Sequence, residues 1–158
     1  MKRIANGGCR SRGRFLPVQG IRARYEYHNT NTGRCPDEVR FCMTLKEVQE
    51  LLGAQVLCGN DECLKRGVSI CFACDLISEM LLYLKPHSLL ITSLTNAHVI
   101  HAAQVMDVKA VLFVGGHKPD QSVITSGELN KIPLLATQLL TFDCCGRLYE
   151  KGIKTDKQ

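Results

Sequence analysis

Residues 88–149 decide the fold, and they read SLLITSLTNAHVIHAAQVMDVKAVLFVGGHKPDQSVITSGELNKIPLLATQLLTFDCCGRLY. Three short apolar runs occur in this stretch, and each is rich in leucine or β-branched residues. Such runs are typical of strands that are buried on both faces of a sheet. The sequence predicts these strands at Ser88–Thr92, Ala110–Val114 and Ile132–Ala136.

Each predicted strand ends in a polar or glycine-containing turn, and a segment of helical length follows the turn. The turns begin at residues 93, 115 and 137, so they recur at intervals of 22 residues. Strands that alternate with helices at this spacing predict βαβ units and a parallel sheet. The fold class is therefore α/β, with a small, mostly parallel sheet and flanking helices. Right-handed crossovers would place all three turns at one edge of the sheet, where such folds bind ligands.

The residues before this stretch predict further elements of the same fold. Thr44-Leu45-Lys46-Glu47 is a capping box at the start of a helix, and Gly53 is placed to end that helix. Ala54–Cys58 and Val68–Phe72 predict two more strands. A helix is predicted from Asp75 to about Leu84, with this apolar face: Leu76, Ile77, Met80, Leu81 and Leu84.

Polar residues are placed to cap the three helices of the repeated units. Thr95 or Asn96 would cap the first helix, Asp120 the second and Thr141 the third. Gly127 interrupts the second helix and makes it the weakest. The third helix is predicted to turn these side chains inward: Phe142, Cys145 and Leu148.

The first 43 residues differ in charge from the rest of the chain. They hold nine Lys or Arg and three Asp or Glu, a net charge of +6, whereas residues 44–158 have a net charge of −1. We predict a disordered basic segment at 1–43, one α/β domain at 44–152 and a polar tail at 153–158. The alternative is that translation starts at Met43. The near-neutral domain lacks the basic surface of a nucleic-acid-binding protein, so nucleic acid is not an expected partner.

The hydropathy pattern predicts a cytoplasmic protein. No run of about 18 apolar residues predicts a membrane-spanning helix, and no apolar stretch of signal-peptide length stands at the N-terminus. The nine cysteines are therefore expected to be reduced thiols rather than disulfides.

The turns at the predicted sheet edge supply the candidate ligand-binding residues. Gly115 and Gly116 would let backbone N–H groups approach a ligand, and Lys118 would offer a positive charge to an anion. The alternative is that the glycines only turn the chain. The whole predicted set is Ser93, Thr95, Asn96, His98, Gly115, Gly116, His117, Lys118, Thr137 and Gln138.

Four cysteines suggest an alternative metal site. Cys58, Cys63, Cys71 and Cys74 fall within 17 residues, and zinc and iron–sulfur clusters take thiolate ligands at spacings of this general type. Cys71 lies in a predicted strand, however, and free cysteines are often small core residues. The sequence favours buried thiols and no cofactor, with zinc or an iron–sulfur cluster as the alternative.

Local spacing provides no catalytic constellation. His98 and His101 could share a helix face as metal ligands, but they have no third ligand nearby. Asp75 and Glu79 could act as an acid–base pair, but placement near a helix N-terminus explains them equally well. We therefore predict no catalytic residues and no enzymatic activity.

From Thr44 to Tyr149 the chain resembles the DRTGG-domain family. The resemblance rests on TLKEVQELLGAQVLCG at the start, on ACDLISEML at 73–81, on residues 89–120 and on IPLLATQLLTFDCCGRLY at 132–149. It implies a small α/β domain similar to the N-terminal domain of HPr kinase/phosphorylase, here in a short stand-alone form. Relatives stand beside CBS domains in regulated pyrophosphatases or precede phosphotransacetylase domains, where they help to form dimer contacts.

This resemblance implies a regulatory or accessory module that forms a homodimer and binds a small ligand or a partner protein. Short relatives accompany hydrogenase and iron–sulfur protein genes, which implies a redox enzyme or a signalling protein as partner. The alternative function is a metal or iron–sulfur accessory protein for hydrogenase-type redox enzymes.

The chain departs from the family pattern at one turn. Ser93-Leu94-Thr95-Asn96 stands where the family name suggests an acidic residue and an arginine, whereas Gly115-Gly116 keeps the glycine pair. The chain also has no G-x-x-x-x-G-K-[ST] phosphate loop. The kinase chemistry of the HPr enzyme is therefore not expected here.

Overall fold

The computed structural model describes residues 42–155. The strands are β1 Met43–Thr44, β2 Gln55–Cys58, β3 Gly67–Val68, β4 Cys71–Ala73, β5 Leu89–Thr92, β6 Ala110–Phe113 and β7 Leu134–Ala136. The helices are α1 Leu45–Leu52, α2 Asp61–Leu64, α3 Ile77–Tyr83, α4 Ala97–Val105, α5 Gln121–Leu129 and α6 Thr141–Glu150. No helix within residues 42–155 has the length and apolar character needed to cross a bilayer.

Five strands form one sheet in the order β2-β7-β6-β5-β4, and β1 pairs with β3 in a separate antiparallel ribbon. Strands β4, β5, β6 and β7 run parallel, whereas β2 is antiparallel to β7. The predicted α/β fold with a mostly parallel sheet is confirmed. All residues of the central strands are buried, as the continuous apolar runs predicted.

Helices cover both faces of this sheet, so the core has two layers. Helices α1 and α6 pack on one face, against Leu89, Ile91 and Leu112. Helices α3, α4 and α5 pack on the other face, against Leu90 and Val111. Alternate residues along a strand point to opposite faces, which explains this division.

The predicted capping box of α1 is confirmed in both directions. The Glu47 N–H donates to Thr44 Oγ1 at 3.2 Å, and the Thr44 N–H donates to Glu47 Oε2 at 2.7 Å. Gly53 ends the helix in the left-handed conformation, with φ 56°. These two signals fix where the chain leaves α1 and enters β2.

The ordered domain extends beyond the predicted bounds at both ends. Met43 is buried and pairs with Val68, and Ile153 is buried in the α1–α6 layer. Lys154 forms a parallel bridge with Ile70. The predictions for residues 1–41 and 156–158 lie outside the described residues.

The single strand predicted at Val68–Phe72 is wrong, because two strands of different sheets occupy this region. Gly67–Val68 pairs with β1, whereas Cys71–Ala73 pairs with β5. Helix α2 has no counterpart among the predicted elements, and Asn60 caps it by accepting a hydrogen bond from the Cys63 N–H at 2.9 Å. Apolar β-branched composition predicted extended backbone correctly but could not show that the chain changes sheets between residues 68 and 71.

Two helices present different faces from those predicted. Helix α3 begins at Ile77 rather than near Asp75, and Leu76 and Leu81 are exposed, although Met80 and Leu84 are buried. In α6 the buried residues are Cys144 and Leu148, and Cys145 is half-buried.

Phe142, which was predicted to face inward, is 86% exposed. Successive helical residues are about 100° apart, so Phe142 lies roughly 200° from Cys144 and points away from the core.

The side-chain caps predicted for α4, α5 and α6 are confirmed only for α4. Asn96 does cap α4, through the His98 N–H at 3.1 Å. Asp120 and Leu140 occupy the N-cap positions of α5 and α6 without a side-chain cap, so Thr141 is not a cap. Helix α5 continues through Gly127 despite the predicted interruption. Glycine allows close packing there, because a Cβ would lie 2.6 Å from Leu134 Cδ1.

Candidate functional site

The turns after β5, β6 and β7 lie at one edge of the sheet, as predicted. The strands are parallel, and Thr92 is in register with Phe113, which is in register with Ala136. The residues that follow these three positions therefore emerge side by side, with neighbouring strands about 4.8 Å apart. This carboxyl edge is the place where open α/β sheets bind ligands.

The glycine turn after β6 is joined to the turn after β7. Gly115 and Gly116 have backbone φ values of 72° and 75°, which residues other than glycine rarely adopt. The Gly115 N–H donates to the Leu139 carbonyl at 2.7 Å, and the Gly116 N–H donates to the Thr137 carbonyl at 2.9 Å. Both N–H groups thus donate to carbonyls within the fold. This geometry does not support the hypothesis that they contact a ligand.

A small cleft of about 180 Å³ lies between this glycine turn, the turn after β7 and the start of β2. Lys118 Nζ donates to Gln55 Oε1 across the cleft at 3.0 Å. Lys118 forms no ion pair with a carboxylate within residues 42–155. Within the described part of the chain, the side chain that hydrogen-bonds to this positive charge is therefore a neutral amide. Its lining residues are Gly53, Gln55, Gly116, Lys118, Ala136, Thr137 and Gln138.

Thr137 and Gln138, both predicted site residues, have different roles at the cleft. The Thr137 hydroxyl is buried, donates to the Leu52 carbonyl at 2.7 Å and accepts from the Leu139 N–H at 3.3 Å. Thr137 therefore ties the turn to α1. The Gln138 side chain is exposed and lies over Gly116, where an added Cβ would come within 2.5 Å of Gln138 Oε1.

Sequence reasoning missed Gly53, Gln55 and Ala136 as cleft residues. They reach the cleft because β2 is antiparallel to β7, which pairs Gln55 with Ala136. The start of β2 thus meets the carboxyl end of β7. A short apolar strand carries no local signal of its direction in a sheet, so the sequence could not have identified these residues.

The predicted residues after β5 form a separate cluster around Asp75. The Asp75 carboxylate accepts hydrogen bonds from Thr92 Oγ1 at 2.8 Å, from the Ser93 N–H at 2.7 Å and from Ser93 Oγ at 2.8 Å. Burial raises the pKa of Asp75, but these hydrogen bonds outweigh it and hold the pKa below its ordinary value. The Ser93 side chain is therefore already partnered. Asp75 thus joins the ends of β4 and β5, whereas α3 begins only at Ile77.

The other predicted polar residues lie on or near the surface of the same edge. Asn96 is occupied as the cap of α4, and Thr95 is half-buried. His98 and His117 are exposed, and the His117 ring lies against Gly115, 3.2 Å from the position of an added Cβ. The ten predicted residues thus share one edge but do not converge on one cavity.

The structure does not bring the four candidate cysteine ligands together. Cys58 lies on β2 and Cys71 on β4, at opposite edges of the sheet, four strand spacings or about 19 Å apart. Cys71 packs in the α1–α6 layer and Cys74 in the other layer, where its Sγ lies 3.3 Å from Glu79 Oε2. Within residues 42–155 no three His, Cys, Asp or Glu side chains are grouped to hold a metal ion.

Three of the four candidate thiols are also poorly suited to exist as thiolates. Burial, with a smaller effect of Cys145, raises the pKa of Cys71 to about 11. Burial likewise raises the pKa of Cys58, whose Sγ lies 3.2 Å from the Ile132 carbonyl, and of Cys74. Such thiols remain protonated at neutral pH, as expected of structural core residues.

Comparison with known proteins identifies the domain type. A protein-family model described as the DRTGG domain matches residues 47–150. A comparison with curated proteins gave no match. The fold is similar to a crystal structure of the CBS and DRTGG domains of the regulatory region of Clostridium perfringens pyrophosphatase, in complex with its activator diadenosine tetraphosphate.

That similarity has a TM-score of 0.57 over 70% of this chain, at 15% sequence identity. The chain spans 47% of the length of the clostridial one, or about half. At this low identity, the structural similarity shows a shared fold alone.

Proposed function

This chain belongs to the DRTGG domain family, and we propose that it is a non-enzymatic regulatory or accessory module. In this proposal it dimerises and binds a small ligand or a partner protein at the carboxyl edge of the sheet. The cleft beside Lys118 is the observation that carries the proposal. The clostridial relative supports a regulatory role, because its DRTGG domain belongs to a regulatory region crystallised with an activator.

The chemistry of the cleft favours an anionic group. Lys118 contributes a positive charge, and Gln55 and Gln138 contribute amides that hydrogen-bond to oxygen atoms. A volume of about 180 Å³ is below the roughly 300–1,000 Å³ of pockets that enclose whole ligands. We therefore propose that the cleft takes a phosphate or carboxylate group. The rest of the ligand would extend along the edge towards His117, Ser93, Thr95, Asn96 and His98.

Regulation would follow from a difference in affinity between two states of the module. A ligand shifts an equilibrium only if it binds one state more tightly. The cleft joins α1, β2 and the turns after β6 and β7, so an anion there would contact four segments of the fold. We propose that such contacts alter the dimer or its binding to a redox enzyme or signalling protein in the cytoplasm.

The alternative of a metal or iron–sulfur accessory protein has less support. Cys58 and Cys71 lie at opposite edges of the sheet, and burial raises the pKa values of Cys58, Cys71 and Cys74. We propose that the protein works without zinc or a cluster. Native mass spectrometry of protein purified without oxygen would reveal bound metal or sulfide, and a stoichiometric mass excess of either would favour the alternative.

Isothermal titration calorimetry with inorganic phosphate, pyrophosphate and adenine nucleotides tests the proposed site in the cleft. We expect Lys118→Gln to weaken binding by about tenfold or more, because it removes the positive charge and keeps a similar chain length. Lys85→Gln is the matched control, since it removes an exposed lysine after α3, near the amino edge of the sheet. Equal affinities for wild type and Lys118→Gln would contradict the proposed site.

A further inference from the structure

An exposed apolar surface adjoins the Lys118 cleft, and the turns after β6 and β7 form it. A Cβ at Gly115 would lie 3.2 Å from His117 Cδ2 and 3.9 Å from Leu140 Cδ2, so an imidazole ring and a leucine methyl group flank this glycine. His117 is exposed, and Leu140 is 64% exposed. We call Gly115, His117 and Leu140 the His117–Leu140 surface. It presents an aromatic ring and an aliphatic side chain to solvent beside the cleft.

Two backbone hydrogen bonds hold this surface in place relative to the cleft. The Gly115 N–H donates to the Leu139 carbonyl at 2.7 Å, and the Gly116 N–H donates to the Thr137 carbonyl at 2.9 Å. The Leu139 side chain packs into the α1–α6 layer, which anchors the turn that carries the exposed Leu140. A ligand that contacts both the cleft and the surface therefore meets a backbone that is already ordered, which lowers the entropic cost of binding.

The cleft and the His117–Leu140 surface differ in polarity where they meet. Gly116 and Gln138 line the cleft, and Lys118 supplies its positive charge. Gly115, which belongs to the apolar surface, is the next residue along the chain, with its Cα about 3.8 Å from that of Gly116. The exposed Gln138 amide lies over Gly116 at this boundary, where it can donate and accept hydrogen bonds. The arrangement suits a ligand with an anionic end, a polar middle and a flat apolar end.

We propose that the ligand of the cleft is a nucleoside monophosphate, with its phosphate beside Lys118 and its base on the His117–Leu140 surface. This inference rests on the proposed function and names the class of its ligand. Nucleic-acid bases stack on histidine as on other aromatic side chains, and they pack against apolar side chains. The ribose joins the phosphate to the base, and its hydroxyl groups suit the Gln138 amide. A single phosphate matches a cleft of about 180 Å³ whose lining includes one lysine.

Its neighbours, rather than its exposure, distinguish Leu140 from other leucines. Leu129 is 79% exposed, but it ends α5 at the amino edge of the sheet, away from the cleft. Single exposed leucines are ordinary on protein surfaces and indicate no function by themselves. Leu140 instead lies beside an aromatic ring and next to a site for an anion. Leu129 is therefore a suitable control position.

NMR titration of the full chain with AMP, GMP, UMP and CMP tests the inference, and ribose 5-phosphate serves as the ligand without a base. At least one nucleotide should bind about tenfold more tightly than ribose 5-phosphate, because a stacked base adds affinity. His117→Ala should weaken nucleotide binding by about fivefold and leave the affinity for ribose 5-phosphate unchanged. His117→Phe should bind the nucleotide as the wild type does, since it keeps an aromatic ring.

Further variants separate the surface from general effects of truncation. Leu140→Ala should weaken nucleotide binding by about threefold, because it removes the apolar contact but not the stacking ring. His101→Ala, at an exposed position of α4, and Leu129→Ala are the matched controls. Both should leave the affinities for the nucleotide and for ribose 5-phosphate unchanged.

The outcomes that would overturn the inference distinguish it from the proposed function. If no nucleotide binds more tightly than ribose 5-phosphate, or if His117→Ala binds nucleotides as the wild type does, then the base does not lie on this surface. The proposed function still stands in that case, provided that Lys118→Gln weakens the binding of ribose 5-phosphate. If neither phosphate nor any nucleotide binds at millimolar concentration, both proposals fail. Tighter binding of ATP than of AMP would show that the ligand class is wrong.

Discussion

The two ends of the carboxyl edge of the sheet contrast in how their charges are partnered. At the β4–β5 end, the Asp75 carboxylate accepts three hydrogen bonds from Thr92 and Ser93. At the β2–β7–β6 end, the hydrogen-bond partner of Lys118 among residues 42–155 is the neutral Gln55 amide, beside an open cleft. Both ends are polar, yet Asp75 joins two strand ends, whereas Lys118 stands beside the cleft where we propose that an anion binds. A polar residue that follows a strand is therefore expected at this edge of the sheet. Its hydrogen-bond partners decide whether it stabilises the fold.

The largest expected effect is a loss of stability on substitution of Thr137, whose hydroxyl holds the turn beside the cleft. Thr137→Val should lower the free energy of unfolding by about 2 kcal/mol, because it leaves the Leu52 carbonyl and the Leu139 N–H without the buried hydroxyl. Urea unfolding measures this loss. Thr125→Val, at an exposed position of α5, is the control and should change stability little. A similar small change in Thr137→Val would show that the turn is not held by this hydroxyl.

A smaller effect is expected at the opposite end of the edge. Asp75→Asn should lower the free energy of unfolding by about 1 kcal/mol, since the partly exposed carboxylate loses charge-assisted hydrogen bonds. Phosphate affinity should stay at the wild-type value, because Asp75 does not line the Lys118 cleft. Glu128→Gln, an exposed change on α5, controls for the loss of one negative charge. Weakened phosphate binding in Asp75→Asn would break the distinction between the two ends.

The smallest expected effect is in the pH dependence of stability. The folded-state pKa of Asp75 is lowered, so its contribution is complete above the unfolded pKa of about 4 and is lost as pH falls through the folded pKa. Wild type should therefore lose more stability than Asp75→Asn when the pH falls from 5 to 2. Thermal unfolding of both proteins over this range measures the difference. Parallel curves would mean that hydrogen bonding at Asp75 does not favour its ionised form.

Much of the fold could be predicted because its signals are local. The strand Ala110–Phe113 is a continuous apolar run, the box at Thr44 caps α1 reciprocally, and Gly53 ends that helix. The predicted site residues have different surroundings. Gly116, Lys118, Thr137 and Gln138 line the cleft. Ser93 instead hydrogen-bonds to Asp75, 18 residues away in sequence. Contacts between segments that are distant in sequence decide which predicted residues line the cleft and which bond within the fold.

The sequence by itself determined the α/β class, the 22-residue spacing of the βα units and their turns at one edge. Each follows from hydrophobic periodicity and turn residues, which act over a few neighbouring positions. Tertiary structure alone decided that β2 runs antiparallel to β7, that Cys58 and Cys71 lie at opposite edges, and which side of α6 meets the core. Strand direction, strand order and helix rotation depend on which segments bury each other's surfaces, and a local pattern does not carry that information.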